Sequence, residues 1–313
     1  MARLPPAEKL PLAVRKNVRD EWDNNKADIE KQLSDLLGEA WTFEVNPNAI
    51  WPYHNDGYAK DSLGSCIKAY FDGAIYQIKY LIGSRGDSLK AEINTICSAH
   101  VLSMDVDDSE PKRFSYGGCD VADGKLRLLF RPDALGTNID YACQGDQLFP
   151  ALNAAPGPEG QALSFLARMA VRQDYDGKIE DCRKQVADMT GNADFKLDAK
   201  FEDVFAKLQD ASKVASGGVR EGWQERLGSV ALGYFEALAY RMKYLKVAED
   251  EMVREGFNEA VEKGEAALRI VDKLTYDSYC ECVIEDGVLY LQTTPQNFGT
   301  NIDNAAQNLM DLL

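Results

Sequence analysis

The chain has 313 residues, with 51 acidic and 35 basic side chains and a net charge of −16. This balance repels phosphate backbones and anionic lipid, so neither nucleic acid nor a membrane surface is an expected partner. An apolar content of 45% supplies two cores and excludes disorder of the whole chain.

The opening Met1-Ala-Arg-Leu-Pro-Pro6 lacks the apolar run of a secretory signal, and no stretch reaches the length of a spanning helix. The seven cysteines (Cys66, Cys97, Cys119, Cys143, Cys182, Cys280 and Cys282) are odd in number and scattered. Reduced thiols in a cytoplasmic protein are the expectation, most of them packed as small apolar residues.

In chain order, Val14, Val18, Trp22, Ile29, Leu33 and Leu37 keep helical spacing and predict an opening amphipathic helix. A short alternating strand follows at Thr42–Val45. Next comes the apolar run Leu63-Gly-Ser-Cys-Ile-Lys-Ala-Tyr-Phe-Asp-Gly-Ala-Ile-Tyr-Gln-Ile-Lys-Tyr-Leu81, a helix apolar nearly all round and so expected to be buried. Ala99–Asp105 alternates as a strand containing His100. Asp123-Gly124 is a hairpin turn, and Gly136-Thr-Asn-Ile-Asp140 opens a last helix. Ala154-Ala-Pro-Gly-Pro-Glu-Gly160 reads as a linker.

The pattern then repeats. Phe165, Met169, Ile179, Val186 and Met189 predict a helix broken near Asp176-Gly177, and Asp194–Leu197 a strand, with Phe195 set opposite Phe43. Leu227–Leu245 matches Leu63–Leu81 at nine of 19 positions, at an offset of 164. Ala266–Val271 and the hairpin Tyr279–Thr293, with Asp286-Gly287 at its turn, follow. Gly299-Thr-Asn-Ile-Asp-Asn-Ala-Ala-Gln307 matches Gly136–Gln144 at seven of nine, at an offset of 163. About 12 extra residues fall between Leu197 and Leu227, around Gly217-Gly218. The expected fold is α+β, a tandem duplication of a module of about 155 residues spanning 1–155 and 156–313. Each module is expected to carry a mostly antiparallel sheet with packed helices, and the two to be related by a pseudo-two-fold axis.

Physics gives a plain account of the shared Gly-Thr-Asn-Ile-Asp phrase. Thr137 with Asp140, and Thr300 with Asp303, read as capping boxes with Asp in place of Glu. Asn138 and Asn301 have no capping duty and are candidate ligand residues. Tyr70, Tyr76, Lys79 and Tyr80, with Tyr234, Tyr240, Lys243 and Tyr244, are either core and interface residues or the lining of a ligand pocket. His54, with Asp56 nearby, is the one candidate acid–base pair and sits in a loop without counterpart in the second half. Cys280-Glu-Cys282 lacks zinc or redox spacing, and Asp174–Glu180 places Arg172 and Arg183 where a calcium loop needs carboxylates. No metal and no cofactor are expected.

The composite reading is a non-catalytic binding or interaction protein with a small-molecule or protein ligand at or near the cleft between the repeats. Two alternatives stand beside it. One is an enzyme acting on a small molecule between the two repeats, using the His54 loop with a repeat-helix tyrosine or lysine. The other is a structural, homo-oligomer-forming protein.

Overall fold

A computed structural model describes residues 3–157, 160–214 and 217–313. The linker expectation at 154–160 and the insertion expectation at 198–226 therefore run partly outside the described residues. The chain divides into two compact units, Met1–Glu159 and Gly160–Leu313. Both are mixed α/β, each with a four-stranded sheet. Among the described residues, no helix is long and apolar enough to cross a membrane.

The first unit opens with α1 (Leu12–Asn17), a π-helical turn Val18–Asp23, and α2 (Lys26–Leu37). Strand β1 (Thr42–Val45) leads through α3 (Pro47–Ile50) to α4 (Leu63–Arg85) and α5 (Asp87–Ile96). Strands β2 (Val101–Val106), β3 (Gly117–Ala122) and β4 (Lys125–Phe130) complete the sheet before α6 (Gly145–Ala154). The α4 helix is the centre of the core. Ile67, Phe71 and Ile78 are fully buried, and Phe71 packs between Trp22 and Phe43 with ring centroids 4.7 and 4.5 Å away. The opening segment crosses α4 at Gly64, where a Cβ would lie 2.4 Å from the Asn17 carbonyl oxygen. Only glycine permits that approach.

The second unit has α7 (Phe165–Asp174), α8 (Ile179–Thr190), β5 (Lys196–Asp198), α9 (Phe201–Ser212), α10 (Leu227–Tyr244) and α11 (Glu251–Ala260). Its remaining strands are β6 (Glu265–Ile270), β7 (Cys280–Glu285) and β8 (Val288–Thr293). The break between α7 and α8 falls at the expected Asp176-Gly177. Here α10 is central, with Tyr234, Phe235 and Leu238 fully buried. It crosses α7 at Gly228, where a Cβ would lie 2.2 Å from the Ala170 carbonyl oxygen. The extra length after β5 includes α9, whose Val204, Phe205 and Leu208 join the core.

The sheets differ from the antiparallel expectation. Their orders are β1-β2-β4-β3 and β5-β6-β8-β7, and in each the first two pairings are parallel. The reason is connectivity. Three helices, α3, α4 and α5, separate β1 from β2, and a crossover of that length returns the chain in the same direction. Segment 107–116 then carries the chain to the far edge, so the hairpin inserts β4 beside β2. Among the described residues, only β3–β4 and β7–β8 are antiparallel. Their turns are the expected Asp123-Gly124 and Asp286-Gly287, all four residues at positive φ.

Three local readings also change. His100 precedes β2 in a left-handed turn, φ 50°, stacked against Trp41 at 5.6 Å, rather than lying within a strand. Counting from the first paired residues, Thr42 with Val101 and Lys196 with Glu265, Phe43 answers to Leu197 and Trp41 to Phe195. That is a two-residue slip, which keeps every side chain on its face. The third change, at the Gly-Thr-Asn-Ile-Asp phrases, forms part of the candidate site.

Candidate functional site

The two phrases most conspicuous in the sequence meet in space within each unit. In the first, the buried Tyr70 hydroxyl of α4 accepts a hydrogen bond from the Gly136 N–H at 3.1 Å. Gly136 has φ 83° and Asn138 φ 49°, and the 3₁₀ turn Ile139–Cys143 starts from Asn138. In the second, Tyr234 is fully buried beneath Gly299. Its hydroxyl faces Thr293 and the Gly299 backbone without making a hydrogen bond of good geometry. Gly299 has φ 80° and Asn301 φ 49°, ahead of the 3₁₀ turn Ile302–Asn304. Burial pushes both tyrosine hydroxyls well above their ordinary pKa, so they stay protonated.

This arrangement corrects the capping-box reading. Neither turn has a side-chain cap, and Thr300 Oγ1 is buried without a partner. Asn138 and Asn301 hold the N-terminal position in the left-handed region, which asparagine tolerates better than other side chains bearing a Cβ. The asparagines thus have a conformational duty that the sequence did not disclose.

The remaining candidates on the central helices face outward. Tyr76 and Tyr80 are each 66% exposed, Tyr240 is 74% and Tyr244 68%, and Lys79 and Lys243 are exposed with them. Their spacing of three and four residues puts each trio on one helix face. In the second unit, Arg241 lies over the Tyr244 ring at 5.1 Å, anchored by an Nη2 hydrogen bond of 2.8 Å to the Gln307 carbonyl. The nine identities between the two helices therefore divide cleanly. Leu63, Gly64, Tyr70, Phe71 and Leu81 are buried, and Ser65 bonds the Asn17 side chain in the first turn. Tyr76, Lys79 and Tyr80 are left, and packing explains none of them.

The His54 loop is tied to the end of the sheet by the Asn55 side-chain amide, which donates to the Pro132 carbonyl at 2.8 Å. The His54 ring packs against Trp51 in a tilted contact at 4.9 Å, and its Nδ1 accepts the Asp56 backbone N–H at 2.9 Å. The Asp56 carboxylate instead pairs with Lys60 at 2.7 Å, and that hydrogen bond holds its pKa below the usual carboxylate value. The loop leads into the start of α4. Tyr76 lies 13 residues along that helix from Leu63, roughly 20 Å at the helical rise, so His54 lies far from the exposed Tyr76 and Tyr80.

Burial pushes the thiols of Cys66, Cys97, Cys182, Cys280 and Cys282 up to about 12. Such thiols are poor nucleophiles at neutral pH. Among the described residues, no group of histidine, cysteine and carboxylate side chains has metal-binding geometry.

Each sheet also bears a concavity. The first, of about 730 Å³, involves Arg3, Glu44, Asp105, Lys125 and Arg127. Its charges are matched within the protein: Arg3 with Asp105, Lys125 with Glu44 at 2.6 Å, and Arg127 with Asp120 at 2.7 Å. The second, of about 410 Å³, lies between α9 and β6, with Lys200, Lys207, Arg269 and Tyr290. Lys200 pairs with Asp198 at 2.6 Å, Arg269 with Glu285 at 2.7 Å, and Lys207 donates to the Ile270 carbonyl at 2.7 Å. Neither brings a nucleophile to a base.

Sequence reasoning missed Glu281, which is fully buried on β7. Its carboxylate accepts the backbone N–H groups of Thr275, Tyr276 and Asp277 at 2.5–3.1 Å, and the Gln292 side-chain amide at 2.6 Å. The signal was faint, a lone acid between two inward-facing cysteines. No family model, curated protein or solved structure matches the chain.

Proposed function

We propose that this chain is a non-catalytic interaction protein, built by tandem duplication, that makes contact through the Tyr76–Lys79–Tyr80 and Tyr240–Lys243–Tyr244 faces. The observation that carries this is the exposure of three identities between the two central helices. A duplicated sequence retains buried residues because the core requires them. Two-thirds-exposed tyrosines have no such requirement, yet both copies keep the pair and the lysine between. Tyrosine is also a favoured anchor residue at interfaces, since a large rigid ring gives contact area at little entropic cost.

The common strand order, the two Asp-Gly turns and the Tyr–Gly joint recurring in each unit support the duplication. The pairing of the Asp56 carboxylate with Lys60 instead of His54, and the suppressed thiols, favour binding over catalysis. Seven free cysteines fit a reducing, intracellular setting.

The test compares tagged wild-type protein with a variant carrying Tyr76→Ala, Tyr80→Ala, Tyr240→Ala and Tyr244→Ala, both isolated from the native cell. Circular dichroism confirms that the fold is kept. Quantitative mass spectrometry should find specific companions with the wild type that the variant loses. Identical companion sets would refute the reading.

A further inference from the structure

The strand registers put one further pair of places in correspondence. Phe130 pairs with both Val106 and Gly117, and Thr293 pairs with both Ile270 and Cys280. Arg131, Pro132 and Asp133 therefore answer to Thr294, Pro295 and Gln296, and Ser115-Tyr116 to Ser278-Tyr279. These residues lie at the carboxyl ends of two parallel strands, β2 and β4 in the first unit, β6 and β8 in the second. Open parallel sheets receive ligands at that edge. None of these residues belongs to the tyrosine faces.

Each unit has a cleft there, and the two differ in what fills it. The first retains about 30 Å³, too little for an organic ligand. Its occupant is the chain's own Arg131. That guanidinium donates from Nη1 to the Ser115 carbonyl at 3.2 Å and from Nη2 to the Asp133 carboxylate at 2.7 Å. In the second unit Thr294 and Gln296 stand in place of this charged pair, and the cleft opens to about 460 Å³. That volume lies within the ~300–1,000 Å³ of small-molecule sites.

The charged groups lining the open cleft are Asp272, Lys273 and Asp277. Among the described residues, no cation pairs with either carboxylate and no anion pairs with Lys273. Asp277 Oδ1 accepts the backbone N–H groups of Ser278 and Tyr279. The Ser278 carbonyl, counterpart of the one that holds Arg131, accepts the Asn297 side-chain amide at 2.8 Å and keeps its second lone pair. The second cleft thus retains acceptors for a guanidinium and lacks the guanidinium. Leu274 and Pro295 add an apolar wall on which methylene groups can lie.

We propose that this cleft binds a small guanidino zwitterion of the arginine type, one per chain. Its guanidinium takes the place that Arg131 fills in the first unit, donating to the Ser278 carbonyl and to Asp272 or Asp277. Lys273 pairs with the carboxylate at the other end of the ligand, which selects a zwitterion over a plain cation. Two carboxylates against one ammonium leave the cleft with one negative charge in excess, and a ligand of one net positive charge neutralises it. The first unit's cleft is the same site closed by its own side chain.

The experiment is calorimetric titration of the full chain with L-arginine, and the expected result is one saturable site. L-Citrulline has the same shape with a neutral urea in place of the guanidinium, and it should bind roughly tenfold more weakly or worse. Agmatine, which lacks the carboxylate, should also bind more weakly than L-arginine. The Thr294→Arg, Gln296→Asp variant carries the first unit's own pair in the second cleft, and it should lose binding while its circular dichroism is unchanged. Asp272→Asn alters only an exposed side chain and should weaken binding about tenfold. Absence of saturable binding, citrulline or agmatine binding as tightly as L-arginine, or undiminished binding in both variants would each overturn the inference. So would tighter binding of an acetylated, amidated Gly-Arg-Gly peptide than of L-arginine, which would make the guanidinium's source a residue of a partner protein.

Discussion

Replacing Gly64 by alanine places a methyl group against backbone that cannot rotate away. The added Cβ would lie 2.4 Å from the Asn17 carbonyl oxygen and 2.6 Å from the Val18 Cα. An ordinary contact is a full ångström longer, so α4 and the π-helical turn must separate. Overpacking of this kind costs about 1–3 kcal/mol. Against it stands the helix-propensity gain of glycine to alanine, about 1 kcal/mol. Because the clash is with backbone, the cost falls in the upper part of that range, about 2–3 kcal/mol, and the net effect expected is a destabilisation of about 1–2 kcal/mol. Gly83 is the internal control, because it lies in the same helix and a Cβ there meets nothing within 4 Å. Gly83→Ala should keep the propensity gain and stabilise by about 0.5–1 kcal/mol. For a unit of this size each kcal/mol moves Tm by about 2–4 °C. Scanning calorimetry should therefore lower the first unit's transition by roughly 2–8 °C for Gly64→Ala, and raise it by roughly 1–4 °C for Gly83→Ala. A rise for both would refute the close crossing as the reason for Gly64.

Glu281 lends itself to a pH test. Burial alone would raise its pKa, but the N–H groups of Thr275 and Tyr276, the Gln292 amide and the Asp277 N–H outweigh it, and the net shift is downward. A depressed folded value means stability that is present above the unfolded carboxyl pKa of about 4.3 and lost as pH falls through the folded value. Urea unfolding of Glu281→Gln at neutral pH should show a loss of about 1–3 kcal/mol, with a shallower decline below pH 4 than the wild type. An unchanged acid limb would contradict this. Thiols pushed up to about 12 by burial should react with a disulfide reagent at pH 8 only after denaturation. Rapid native labelling of Cys66 or Cys182 would count against the packing. At Asn138, φ 49°, alanine should cost about 1 kcal/mol in denaturant titration and glycine should be tolerated. Equal effects would mean that the left-handed turn is not the reason for asparagine.

How much of this was legible beforehand depends on the range of the interaction involved. The break at Asp176-Gly177, both central helices and both Asp-Gly turns follow from local periodicity and turn chemistry, and each stands where the sequence placed it; the opening helix is helical over the expected residues but is divided at Asn24-Asn25 after a π-helical turn. Sheet direction is set by the path of segment 107–116 across β4, and no local pattern records a crossover. The Thr137 and Thr300 caps were misread because Ser/Thr-x-x-acid has the same spelling whether the threonine or the following asparagine holds the first helical carbonyl. His100 alternates like a strand residue, yet its positive φ comes from the turn before β2. The candidate site was half visible. Sequence comparison singled out the tyrosines and lysines, but only burial separates Tyr70 and Tyr234, which lie beneath the glycine turns, from the outward-facing trios. Glu281 was invisible because its ligands are backbone groups of a loop that no pattern brings to β7.

The most direct test of the central claim is site-specific photo-crosslinking in the native cell. The photoreactive residue is placed at Tyr76, at Tyr240, and at exposed Lys31 on α2 as a control. The account expects strong adducts to specific partners from positions 76 and 240, and background from position 31. Adduct yields at 76 and 240 no higher than at 31 would contradict it.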